Sequence, residues 1–66
     1  MNRLAYNVNE VAEHLGISRD GVYRELAAGR LRSFHIGKLR RIAHQDLCDY
    51  VEKLRAMAAA KQFDAT

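Results

Sequence analysis

The sequence predicts a small, mainly α domain: three helices, with a two-stranded β-hairpin between the second and the third. Three observations predict it. Residues 7–15 and 18–28 each begin with a polar cap and end at a glycine, the punctuation of two short helices. Residues 34–42 alternate apolar and polar side chains around Gly37-Lys38, as a hairpin does. Beyond them Leu47, Val51 and Leu54 recur at helical spacing. Two capped helices across a tight turn, followed at once by a basic hairpin, is the order of a winged helix-turn-helix.

The first helix starts at Asn7, whose side chain can accept from the backbone, with Glu10 three residues on to complete a capping box. Val8, Val11, Ala12 and Leu15 then share one face. Gly16 supplies the left-handed conformation that ends a helix cheaply. Tyr6 either folds back on Val11 as a hydrophobic staple or continues a short strand with Leu4; the spacing allows both. Ile17 is apolar in a turn, which implies a turn packed between the two helices. Ser18 caps the second helix, Val22 and Leu26 form its buried side, and Gly29 closes it. Gly21 costs roughly 1 kcal/mol against alanine inside that helix, which suggests a close approach of backbone to DNA or to the first helix.

Phe34 and Ile36, set between Ser33 and His35, give the pattern of a half-buried strand, and Leu39 to Ile42 return as its partner. Leu39 stands out, because a hairpin tip is normally wet. The third helix runs from His44 or Gln45 at least to Leu54, with Leu47, Val51, Leu54 and Ala58 on one face. The expected core covers about residues 4–54 of a single domain, and residues 56–66 extend the last helix or fray from it.

A chain of 66 residues buries only about 60% of the surface its unfolded form exposes, so marginal stability is expected. One cysteine, Cys48, allows no internal disulfide and no zinc set. His14, His35 and His44 fall on different elements and read as surface residues. No catalytic constellation emerges, since Cys48 has no evident activating histidine and the glycine turns lack phosphate-loop spacing. Neither an enzyme, a cofactor nor a metal is expected. With no long apolar run and no signal-peptide core, the chain is expected to be soluble and cytoplasmic.

The net charge of +3 is modest, but its placement is uneven. Residues 19–41 carry Arg19, Arg24, Arg30, Arg32, Lys38, Arg40 and Arg41 against only Asp20 and Glu25, a net of +5. The segments on either side each come to −1. A basic stripe over the second helix and hairpin is the footprint of a phosphate-binding surface.

In a helix-turn-helix the second helix enters the major groove with its N-terminal residues on base edges. That rule puts Ser18, Arg19, Asp20, Tyr23 and Arg24 at double-stranded DNA. Arg19 and Arg24 are candidates for bidentate pairing with guanine, or else contact phosphate. Tyr23 touches phosphate, sugar or a thymine methyl, or packs partly beside Val22. Asp20 is expected to pair with Arg24 one turn on. Arg30, Arg32, Lys38, Arg40 and Arg41 complete the candidate DNA contacts, with the wing tracking the backbone or a minor groove.

The assembled pattern resembles the phage excisionase family, whose fold is similar to the DNA-binding domain of MerR regulators. Tyr6-Asn7-Val8-Asn9-Glu10-Val11-Ala12-Glu13-His14-Leu15-Gly16-Ile17-Ser18 carries it, with Val22-Tyr23-Arg24 and Gly29-Arg30-Leu31. It continues through Phe34-His35-Ile36-Gly37-Lys38 and Arg41-Ile42 to Asp46-Leu47. The resemblance implies a recombination directionality factor in a bacterial host cell, one that binds near a phage attachment site, bends DNA and biases an integrase toward excision. By position, Ser18, Arg19, Tyr23 and Arg24 match the recognition helix, and Lys38 and Arg41 the wing. Gly21 departs from a common serine or threonine, and Leu39-Arg40 from a frequent basic–aromatic pair. Bending costs more than one small module easily supplies, so several copies are expected side by side, with Leu39 and the alanine-rich residues 56–60 as candidate protein contacts. A small transcriptional regulator of the same fold is the alternative.

Overall fold

The computed structural model describes residues 3–65 of the backbone, and side chains as far as residue 60. The elements run β1 (Ala5–Tyr6), α1 (Val8–Leu15), α2 (Arg19–Ala27), β2 (Phe34–Ile36), β3 (Leu39–Ala43) and α3 (His44–Ala65). The three helices and the hairpin stand where the sequence puts them. The sheet has one strand more than a bare wing: its order is β1-β3-β2, antiparallel throughout. Tyr6 thus takes the strand alternative, opposite Ile42, while Ala5 faces Ala43.

Local chemistry sets the boundaries. The Asn7 side chain accepts from the Glu10 N–H at 2.8 Å while the Glu10 carboxylate accepts from the Asn7 N–H at 2.9 Å, so the capping box is closed in both directions. Gly16 ends α1 at φ 69°, a conformation that costs a side-chain-bearing residue steric strain. At the hairpin, Ile36 faces Leu39 across a two-residue loop, and Gly37 takes φ 63°. Positive φ at the first loop residue is what a type II′ turn asks for.

The core gathers Tyr6, Val8, Val11, Ala12, Val22, Leu31, Ile42, Leu47 and Tyr50, with Leu15, Leu26 and Val51 packed against it. Four expectations need correction here. Ile17 is 41% exposed and leans over Gly21 instead of filling a space between helices. A Cβ at Gly21 would meet only Ile17 and Ser18, at ordinary contact distances of 3.4 Å and more, so close packing on the first helix does not require a glycine. β2 is exposed along its whole length, because the hairpin projects past the core and only Ile42 of β3 is fully buried there. On α3 the buried face is Leu47 and Tyr50 with Val51; Leu54 and Ala58 lie outside it. The helix is 22 residues long, about 33 Å at 1.5 Å per residue. Its described side chains from Glu52 onward are all exposed, which contributes to principal extents of 48 × 27 × 18 Å.

One polar knot ties α2 to α3. Glu25 accepts from the Tyr50 hydroxyl at 2.7 Å and from Arg30 Nε and Nη2 at 3.0 and 2.7 Å. The Arg30 hydrogen bond, then that of Tyr50, holds the Glu25 carboxyl down from 4.5 to about 2. Burial, and next the bond to Glu25, pushes the Tyr50 hydroxyl up from 10.0 to about 12. A depressed acid stabilises the fold above its unfolded pKa and loses that contribution as pH falls through the folded one. Stability is therefore expected to drop between about pH 4.5 and 2. Tyr50, shifted upward, contributes below its unfolded pKa, and that contribution fades between about pH 10 and 12. Urea midpoints across both windows check this, since Glu25→Gln should flatten the acid limb and Tyr50→Phe the alkaline one. At neutral pH Tyr50→Phe should cost about 1–2 kcal/mol.

Candidate nucleic-acid interface

Ser18 caps α2, its Oγ accepting from the Gly21 N–H at 3.1 Å. With its N-terminus thus capped, the helix presents Arg19 and Tyr23, four residues apart, on one face. The Arg19 guanidinium lies 5.9 Å from the centre of the Tyr23 ring, and its Nη2 donates to the Tyr23 hydroxyl at 3.5 Å. Tyr23 is exposed, which excludes the partly buried position beside Val22. The pair presents one cation and one amphipathic ring to solvent.

Opposite this pair stands the wing. Lys38, Leu39, Arg40 and Arg41 line a shallow open groove together with Arg19 and Tyr23, and Asn7, Val8 and Asn9 at the start of α1 complete it. Four of these nine residues are cations and none is a carboxylate, so the local potential is positive. The capping box answers the Glu10 N–H, whereas helix geometry leaves the N–H groups of Val8 and Asn9 without intrahelical acceptors. Free N–H groups at a helix start suit an anion. Arg41 is held against its own strand, Nη1 donating to the Arg40 carbonyl at 2.8 Å.

The other expected site residues fall elsewhere. Ser18, Asp20 and Arg24 are exposed but do not line the groove. The expected Asp20–Arg24 ion pair is absent among the described residues: both side chains are in water, where such a pair gains little. Arg30 is engaged by Glu25. With Arg32 and Lys53 it borders a second groove, beside Asp46, Asp49 and Glu52. Three cations and three carboxylates leave that groove no marked sign, and it shares no residue with the first. Arg30 and Arg32 share the basic segment with the wing but border a different groove.

Cys48, which shows no evident activating histidine in the sequence, does have one beside it. His44, one turn before it on α3, brings Nε2 to 3.4 Å from the Cys48 Sγ, and its Nδ1 lies 2.9 Å from the Tyr6 hydroxyl. The i,i+4 spacing was the available signal. Among the described residues no three metal-capable side chains come together, and no helix is long and apolar enough to cross a membrane.

Two helices across a glycine turn, a basic wing and a shared cationic groove define a DNA-binding protein of the winged helix-turn-helix class. The family model described as "Helix-turn-helix domain" matches residues 5–55, and the chain belongs to that family. Among curated proteins it is similar to one described as "Probable excisionase" from Saccharopolyspora erythraea, with 39% identity over 59 residues. The match covers 89% of this chain and 60% of the relative, so the chain spans less than two thirds of that protein's length. No solved structure gives a significant match.

Proposed function

We propose that this chain is an architectural DNA-binding protein of the excisionase type. It binds near a phage attachment site in several adjacent copies, bends the duplex and directs an integrase toward excision. The observation that carries the reading is the groove that the start of α2 and the basic wing line together. Arg19 reads a base edge with Tyr23 supporting its guanidinium, and Ser18, Asp20 and Arg24 border that contact. Lys38, Arg40 and Arg41 hold phosphate or a minor groove. Arg30 serves the fold through Glu25, and Arg32 lies outside the reading surface. The exposed half of α3, with Leu54, Met57 and the alanines after it, offers the contact between copies. Similarity to the relative described as an excisionase supports the step from DNA binding to excision.

Gel shifts over a salt series test the first part. About five phosphate contacts predict log K falling against log salt with a slope near −4 to −5; a much shallower slope removes the joint use of helix and wing. Excision by a cognate integrase on its attachment sites, with and without the protein, tests the second. Salt-sensitive binding without stimulated excision assigns the chain to the transcriptional regulators.

A further inference from the structure

We infer that the wing carries an apolar wedge, Ile36 and Leu39, which enters the minor groove at a base step and kinks the duplex. The inference rests on the DNA-binding reading above. Ile36 and Leu39 are directly opposed beside the turn, and they are 60% and 55% exposed. Phe34, on the same face by strand alternation, is 40% exposed. Ile36 and Leu39 therefore stand largely in water beside the turn at the far end of the hairpin, with Phe34 on the same face nearer its base.

What covers them follows from their neighbours. Leu39 lines the same groove as Arg19 and Tyr23, so a duplex seated there passes over it. Lys38 occupies the turn, while Arg40 and Arg41 follow in β3. Three cations around an apolar tip match a polyanion whose interior is apolar: phosphates outside, stacked bases within. A wing that only followed phosphates would have no use for Ile36 and Leu39. Side chains of this kind, pushed between base pairs from the minor groove, unstack a step and bend DNA toward its major groove by about 20–90°. With α2 in the major groove, such a bend closes the duplex around the recognition helix. Pyrimidine–purine steps unstack most easily, so the wedge also selects TA or CA/TG at a position no polar side chain reads.

The test uses the full chain and duplexes it retains from a random library, with 2-aminopurine placed at successive steps and fluorophores at the ends. Wild-type protein should raise aminopurine emission several-fold at one step per bound copy, shorten the end-to-end distance and enrich TA or CA/TG there. Ile36→Ser with Leu39→Ser should abolish all three while keeping the salt slope of binding, and Leu39→Phe, still apolar, should retain them. Circular dichroism melting of each variant guards against unfolding. A bend and emission that survive the double substitution overturn the wedge and leave DNA binding standing. So does a double variant whose bend per copy is intact but whose adjacent copies no longer bind cooperatively, which would make the apolar tip a contact with a second copy. A library from which nothing is retained overturns the DNA-binding reading itself.

Discussion

Ile42→Ala is expected to remove a large share of the stability of the fold at 25 °C. Ile42 is 0% exposed and lies in β3 directly opposite Tyr6 of β1, one residue beyond the hairpin pairing. Truncating a fully buried isoleucine to alanine costs about 2–5 kcal/mol, in part because the neighbours cannot close the cavity. At roughly 0.05–0.15 kcal/mol per residue, the whole fold is worth about 3–10 kcal/mol. One side chain thus controls a large share of the total. Urea denaturation followed by circular dichroism measures it, and a midpoint equal to wild type would mean that β3 does not anchor the core. Ile36→Ala is the control six residues away. Ile36 is exposed, and its removal should change stability by no more than about 0.5 kcal/mol.

The second large effect falls on DNA, and helix and wing should separate there. Replacing Lys38, Arg40 and Arg41 together by alanine removes up to three phosphate contacts, each contributing about −0.9 to the salt slope. The slope should fall from near −4.5 to about −2, and affinity at about 0.1 M salt by roughly 10²–10³-fold. Preference among sequences should persist. Arg19→Ala should do the reverse, keeping most of the slope while losing about 1–3 kcal/mol of discrimination between a selected and a scrambled duplex. Competition gel shifts at several salt concentrations read both quantities. A wing variant that loses discrimination with its slope intact would exchange the two roles.

The features legible in the sequence are those decided within a few residues. Asn7 with Glu10, Ser18, and the glycines at 16, 29 and 37 fix helix ends and a hairpin turn through contacts or φ values close in the chain. Long-range pairing was less legible. Leu31 is almost fully buried, yet it stands alone between elements and belongs to no periodic face. Tyr50 looks amphipathic in sequence, and only the position of Glu25, 25 residues earlier, shows why it is buried. Alternation at Phe34 and Ile36 correctly marked a strand but misjudged its burial, since a period of two specifies a face and not what covers it. At the groove, Arg19, Tyr23 and the wing cations were identifiable by order along the chain. The separation of Arg30 and Arg32 from them depends on where α3 lies, which no local pattern encodes.

β3 is one uninterrupted strand with two different partners: residues 39–41 pair with β2, and residues 42–43 with β1. A wing hung on a loop would sample many orientations and lose that freedom each time it met a ligand. Here the backbone that carries Arg40 and Arg41 continues without a joint into the core at Ile42. The aim of the wing is therefore settled when the chain folds, and little orientational entropy is left to lose on association. The same continuity makes the two residues of β1 a remote rudder. Whatever disturbs Ala5 and Tyr6 acts on the far end of the hairpin without touching it.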